Sequence, residues 1–158
     1  YMLRELQVTK DKPANSMYKA GEEKIVTGMA VVKNETNKTF EFASAATAAD
    51  VFFVDKERVP SGVNAARVDM SDYDEDFVTL KENEFGKLIA YYPGERFATD
   101  QYTETGLTEG VRVAAGTDGK LAKATAASRY VFKGFWTDNG HKLAVIEVSD
   151  TAVANSAS

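Results

Sequence analysis

The sequence predicts a mainly β fold, either a small β-sandwich or a β-barrel of short antiparallel hairpins, with an extended N-terminal arm and little helix. Short runs of alternating apolar and polar residues recur along the chain, which is typical of strands whose side chains point to opposite faces in turn. Glycine, proline, asparagine and aspartate separate these runs at short intervals. No long amphipathic segment of helical periodicity interrupts the pattern. These observations favour a sandwich or a barrel over helical folds.

The two ends of the chain are weakly patterned. Leu3–Thr9 alternates in part and is predicted to be an edge strand, within an arm that is pinned at Leu3, Leu6 and Val8. The C-terminal residues are small and polar, as flexible termini often are. The chain therefore divides into an extended arm at 1–20, one β domain at 21–149 and a flexible tail at 150–158.

The first clear strand is predicted at Lys24–Lys33, and it has apolar residues on both faces. The polar turn Asn34–Lys38 follows, and Thr39–Phe42 returns as the second strand of a hairpin. A strand of an isolated sandwich usually has one polar face. Both faces of Lys24–Lys33 are therefore expected to be covered, either by a partner or by connecting loops.

Short strands alternate with loops in the middle of the chain. Buried strands are predicted at Asp50–Asp55, Phe77–Leu80 and Gly86–Tyr92, and Pro93-Gly94 forms the turn that ends the last of them. Ser44–Ala49 is alanine-rich and suits one or two helical turns, although so short a helix is not stable alone. The polar connecting segments are Lys56–Ala66 and Arg96–Thr108.

Two further hairpins carry the clearest local signals of the sequence. Their turns contain Asp118-Gly119 and Asn139-Gly140, which supply the positive φ angles that tight hairpin turns require. The paired segments are Val111–Ala115 with Lys120–Ala124, and Tyr130–Trp136 with His141–Val148.

The composition indicates one globular domain, with 158 residues of which 44% are apolar. The net charge of −5 argues against nucleic acid and anionic membranes as partners, because such binding needs a basic patch. No apolar stretch approaches the roughly 20 residues of a transmembrane helix, and Tyr1–Lys10 lacks a signal-peptide core. The absence of cysteine excludes disulfides, thiolate metal sites and a cysteine nucleophile.

No recognisable catalytic constellation is present, and we expect a protein that is not an enzyme and binds no cofactor. His141, the single histidine, follows a turn, and neither Asp138 nor a Gly-x-Ser-x-Gly elbow places it in a triad. Gly116–Gly119 lacks the Gly-Lys-Ser/Thr end of a phosphate-binding loop. An exposed histidine at a strand start is the expected outcome.

An acidic cluster is the one candidate for a metal site. Calcium prefers several carboxylate oxygens, and an EF-hand loop requires glycine at its sixth position and glutamate at its twelfth. Counted from Asp69, those positions hold Asp74 and Leu80, so the pattern fails and no metal is predicted. The cluster comprises Asp69, Asp72, Asp74, Glu75 and Asp76.

The first strand of the last hairpin is aromatic on both faces. Strict alternation places Tyr130, Phe132 and Trp136 on one face, with Val131 and Phe135 on the other. Surplus apolar surface of this kind suits contact with a partner, and packing beneath loops is the competing interpretation.

An ordered set of motifs fills the C-terminal half of the chain. It starts at Gly94-Glu95-Arg96-Phe97 and continues through Gly110–Leu121, where an alternating valine strand enters a Gly-Thr-Asp-Gly turn and a Lys-Leu return. A small-to-aromatic run, Lys133-Gly134-Phe135-Trp136, and a final apolar strand, Leu143–Val148, follow. In this order of motifs the chain resembles the small head decoration proteins of tailed bacteriophages, and Gly28–Val32 is similar to a first core strand of that group.

This resemblance implies a virion protein on the outside of the capsid, made in the host cytoplasm, that bridges major capsid subunits and stabilises the shell. It implies no nucleic-acid or membrane partner, while self-association as a trimer or dimer stays open. Residues 3–9 are expected to add a strand to the edge of a capsid sheet. The expected partner-binding residues are Leu3, Leu6, Val8, Tyr130, Phe132 and Trp136.

Two other functions remain open at the level of sequence. One is a tail-tube or other structural subunit of the virion, because such proteins have similar strand-rich sequences. The other is a carbohydrate-binding β module in which Tyr91, Tyr92 or Trp136 stacks on sugar rings.

Overall fold

The computed structural model describes residues 2–8, 17–22, 24–44, 51–55 and 79–156. Within these ranges the chain forms thirteen strands and no helix, which confirms the predicted mainly β fold. The strands are β1 Leu3–Gln7, β2 Lys19–Ala20, β3 Ile25–Val26, β4 Ala30–Asn34, β5 Thr39–Glu41, β6 Phe52–Val54, β7 Thr79–Leu80, β8 Leu88–Ile89, β9 Arg96–Thr99, β10 Arg112–Ala115, β11 Leu121–Lys123, β12 Ser128–Asp138 and β13 His141–Val153.

The strands form three sheets. A six-stranded sheet has the order β1-β9-β13-β12-β10-β11, a five-stranded sheet has the order β2-β5-β4-β6-β8, and β3 pairs with β7. The larger sheet curls into a half-barrel. Just after β9, the Gln101 carbonyl accepts from the Leu121 amide of β11 at 3.0 Å, and the Thr103 amide donates to the Leu121 carbonyl at 2.7 Å. These bonds join the segment that follows β9, the second strand of the sheet, to β11 at the far end of the same sheet.

The five-stranded sheet is buried on both faces. Successive residues of its strands enter different apolar clusters, because side chains alternate in direction along a strand. One cluster fills the space against the six-stranded sheet and contains Ala30, Phe53 and Ile89 of the smaller sheet. The other lies on the opposite face, beside β3 and β7, and contains Val31, Val54 and Leu88. The two apolar faces predicted near Lys24–Lys33 are therefore both covered within the chain.

The predicted strand Lys24–Lys33 is interrupted in its middle. β3 ends at Val26 and β4 begins at Ala30, because Gly28 turns the backbone with a φ of 94°. The Thr99 hydroxyl donates to the Gly28 carbonyl at 2.9 Å, which fixes this turn against β9. The following hairpin across residues 35–38 is confirmed, with β5 antiparallel to β4.

The two C-terminal hairpins are confirmed, with β10 antiparallel to β11 and β12 antiparallel to β13. Asn139 and Gly140 have φ angles of 50° and 80° at the tip of the second hairpin. The strand β9, by contrast, lies in a segment predicted to be a polar connection. Arg96 gives it a polar face through an ion pair with Glu147 at 2.6 Å, while Phe97 is fully buried.

The C-terminal tail begins later than predicted. β13 continues to Val153, five residues beyond the predicted strand end at Val148, so residues 150–153 belong to the sheet. Asn155 then holds the chain in place. Its Oδ1 accepts from the Arg112 amide at 2.8 Å, and its Nδ2 donates to the carbonyls of Arg112 and Ala124 at 2.9 and 3.0 Å. The composition of the tail could not predict this role, because it depends on a single asparagine whose side-chain amide bonds to backbone groups, as a neighbouring strand would.

Replacing Asn155 with alanine is expected to lower the free energy of unfolding by about 1–3 kcal/mol, because the Arg112 amide and the carbonyls of Arg112 and Ala124 lose the bonds that Asn155 makes. Urea unfolding followed by circular dichroism measures the change. Ser156→Ala, one residue further along at an exposed position, serves as the control and should leave stability unchanged. Equal stability of the two variants would contradict this account of the C-terminus.

Some sequence predictions lie outside the described residues. They are the helical turns predicted after Ser44, the loop Lys56–Ala66 and the acidic cluster Asp69–Asp76.

Candidate interaction surface

The structure separates the six predicted partner-binding residues into two groups. Tyr130 and Phe132 belong to the core, at 8% and 2% exposure, so the prediction that they face a partner is wrong for this chain. Leu6 and Trp136 are both 41% exposed. The remaining two, Leu3 and Val8, are partly buried, and Leu3 packs against the main core.

A β-bulge explains why strict alternation failed in β12. Phe132 lies opposite Ile146 and Phe135 lies opposite Ala144, so β12 has one more residue than β13 in this interval. Gly134 accommodates the extra residue with a φ of 116°. The bulge puts Phe135 on the same face as Phe132, with ring centroids 4.9 Å apart, and moves Trp136 to the opposite face.

An ion pair joins the tip of the β12–β13 hairpin to the N-terminal strand. Arg4 Nε lies 3.0 Å from Asp138 Oδ2. Two strands, β9 and β13, separate β1 from β12 in the sheet, a distance of about 14 Å if the sheet were flat. The contact therefore requires the hairpin to bend towards β1, and the bulge at Gly134 is a site where such bending is expected.

We call this region the edge-and-tip surface, defined by Arg4, Leu6, Trp136 and Asp138. Trp136 and Asp138 are two residues apart on β12 and share a face, while Arg4 and Leu6 belong to the edge strand β1. The structure thus brings together the two elements that carry exposed predicted contacts, the arm and the last hairpin. Sequence gave no sign of this, because the residues joined by the ion pair are 134 positions apart.

The other face of the hairpin tip is occupied by contacts within the chain. Lys142 Nζ lies 4.0 Å from the centroid of the Phe135 ring, and the Tyr102 ring packs on Phe135 at 5.6 Å. The Glu104 carboxylate accepts a hydrogen bond from the Lys142 ammonium at 2.6 Å, and this bond raises the pKa of Lys142. Burial, with some help from Glu104, raises the pKa of Tyr102. These contacts support the tip on the Phe135 side, while Trp136 on the opposite face is 41% exposed.

The aromatic residues considered for sugar binding do not share one platform. Tyr91 is buried and stacks on Phe97 at 4.3 Å, and burial together with the nearby Glu5 carboxylate raises its pKa. Tyr92 is 48% exposed and lies in a turn whose Gly94 amide donates to the Val148 carbonyl of β13. Trp136 lies opposite Leu143, also on β13. Val148 and Leu143 are five positions apart on β13, so Tyr92 and Trp136 lie beside different parts of that strand.

The candidate catalytic and metal-binding groups are placed as follows. His141 is exposed at the start of β13, and the Asp138 carboxylate opposite it is bound by Arg4. In the described ranges, no group of three or more His, Cys, Asp or Glu residues is arranged to hold a metal ion. Among the same residues, no helix is long and apolar enough to cross a membrane.

Comparisons with protein-family models, curated proteins and solved structures found no match to this chain.

Proposed function

We propose that this protein decorates the outside of a tailed-phage capsid and stabilises the shell by bridging neighbouring major capsid subunits. The resemblance of roughly Gly21–Val148 to head decoration proteins motivates the proposal. The observation that supports it most is the edge-and-tip surface, where an open sheet edge and an exposed tryptophan lie together. Surfaces of this kind bind other proteins through backbone pairing and aromatic anchoring.

The open edge is supplied by β1. This strand is the last of the six-stranded sheet and pairs on one side with β9, and no strand of the described residues pairs with its other side, which presents backbone donors and acceptors. A strand of a capsid subunit that pairs with this side would extend the sheet. The predicted role of residues 3–9 is thereby modified, since Leu3–Gln7 form a strand of the chain's own sheet and offer that sheet's outer edge.

Trp136 is the expected anchor of the surface. A large aromatic side chain gives up little conformational entropy on binding and excludes much water, so tryptophan is enriched among the residues that dominate interfaces. The Arg4–Asp138 pair beside it orients polar groups around the anchor, as in the polar rim of an interface. Repetition over a symmetric shell would multiply modest single contacts wherever neighbouring copies engage together.

Co-sedimentation with capsids tests the proposal directly. Purified protein is mixed with expanded shells and, separately, with precursor shells of the phage that encodes it, and both are pelleted. We expect saturable binding to expanded shells and none to precursor shells, because decoration requires the mature lattice. Absence from the pellets of expanded shells would contradict the proposal.

Trp136→Ala is expected to weaken binding to expanded shells roughly 30-fold, the loss that corresponds to about 2 kcal/mol for an interface anchor. Tyr92→Ala is the matched control, because Tyr92 is a similarly exposed aromatic residue away from the hairpin tip, in a turn that bonds to Val148 of β13. Titration of shells with fluorescently labelled protein measures both variants. If the two bind equally well, the edge-and-tip surface is not the capsid contact.

A further inference from the structure

The strand β1 is attached to the protein by few buried contacts. Four of its five residues are exposed, and Leu3 is the one that packs against the core. Two further side-chain contacts of β1 are polar. Glu5 accepts from the Tyr91 hydroxyl at 3.4 Å, and Arg4 pairs with Asp138.

The edge of β9 that receives β1 does not depend on β1 for its own structure. β9 pairs over its whole length with β13, from Arg96 opposite Glu147 to Thr99 opposite Ala144. The segment after β9 is held by β11 through the two bonds to Leu121, and Thr99 is fixed by its bond to Gly28. Removal of β1 would therefore leave an ordered strand edge with the same register.

The docking of β1 on this edge is specific. Leu3 lies opposite Thr99, and Gln7 lies opposite Arg96. At the N-terminal end, the Met2 amide donates to Asp100 Oδ1 at 2.9 Å, and the Asp100 amide donates to the Met2 carbonyl at 3.3 Å. These paired contacts at both ends define which segment fits, and a second copy of this chain carries the same segment.

We propose that β1 is exchanged between copies, so that β1 of one copy docks on β9 of its neighbour. All contacts of the strand are remade in the exchanged state, because donor and acceptor have the same sequence in every copy. Eleven residues, 8–18, join β1 to β2. Fully extended, a segment of this length spans up to about 40 Å, enough to reach a neighbouring copy.

The exchange goes beyond capsid decoration and does not depend on it. The exchanged and unexchanged states contain the same strand pairing, so their contacts do not favour one over the other. The balance between monomer and exchanged copies therefore depends on protein concentration. Each copy keeps a complete edge-and-tip surface, since Arg4 of the neighbour reaches the same Asp138. On a shell, where copies are held close together, exchange would link them into a continuous network.

Disulfide trapping tests the exchange, and the lack of native cysteines makes the result unambiguous. Gln7 and Arg96 are opposite one another in β1 and β9, at a separation suited to a disulfide. Chains with Gln7→Cys alone and Arg96→Cys alone are mixed at high concentration, incubated and oxidised. We expect a disulfide-linked dimer whose yield rises with concentration and incubation time.

Two controls fix the interpretation. In the double variant Gln7→Cys/Arg96→Cys at low concentration, the bond should close within one chain, which verifies the strand pairing. A mixture of Gln7→Cys with Lys120→Cys, at the exposed β10–β11 turn, measures random collision. The proposal is overturned if the Gln7/Arg96 mixture gives no more dimer than this control, or if the double variant does not close. Capsid co-sedimentation is a separate readout, so either proposal can fail alone.

Discussion

Phe53→Ala is expected to lower the free energy of unfolding by about 3–5 kcal/mol, a large fraction of the stability of a small domain. Phe53 is fully buried, and its ring lies 4.4 Å from Phe97 and 5.7 Å from both Tyr91 and Tyr130. Phe53 belongs to the five-stranded sheet, while Phe97 and Tyr130 belong to the six-stranded sheet. The substitution removes the ring that joins the two sheets and leaves a cavity between them.

Phe85→Ala is the matched control for this prediction. The same chemical change is made at a position that is 57% exposed, where the ring contacts solvent and the Lys19 ammonium. Chemical denaturation of both variants gives the comparison, and the control should lose less than about 1 kcal/mol. Similar losses in the two variants would mean that the sheets are not held together at Phe53.

Gly28→Ala is expected to be destabilising by about 2–5 kcal/mol, for two additive reasons. The backbone φ of 94° is unfavourable for any residue with a side chain. A Cβ at this position would also lie 2.5 Å from Thr99 Oγ1 and 2.9 Å from the Met2 carbonyl oxygen. The Thr99 hydroxyl cannot move aside cheaply, because it bonds to both the Gly28 carbonyl and the Gln101 amide.

Gly94→Ala separates these two reasons. Gly94 has a similar φ of 87°, but an added Cβ would meet no atom within 4 Å. This variant should lose only the conformational part, about 1–2 kcal/mol. Thermal unfolding of the two variants under identical conditions compares them. If both variants lose the same free energy of unfolding, the close contact of an added Cβ with Thr99 and Met2 does not contribute to the loss at Gly28.

The parts of the fold that sequence predicted are those set by local chemistry. The hairpin tip at Asn139-Gly140 was identifiable because few residue pairs adopt the required φ angles, and the β10–β11 turn was identifiable for the same reason. β9 was missed because Phe97 is its single large apolar residue, so its alternation is weak. Its position is determined by neighbouring strands on both sides, which no local pattern reports.

The candidate surface was predictable only in part. Leu6 and Trp136 were identified from the arm and from the last hairpin, and both are exposed. Tyr130 and Phe132 were placed with Trp136 because strict alternation does not allow for the bulge at Gly134. The Arg4–Asp138 pair, which brings the two elements together, follows from sheet order and hairpin bending, and both are tertiary properties.

Thermal melting of empty expanded shells is the most direct test of the central claim, that the function of this protein is to stabilise a capsid from outside. Shells are scanned by calorimetry alone, with saturating wild-type protein and with Trp136→Ala at the same concentration. We expect a higher melting temperature with wild-type protein and a smaller rise with the variant, because binding to the intact shell stabilises it. An unchanged melting temperature with bound wild-type protein would contradict the account.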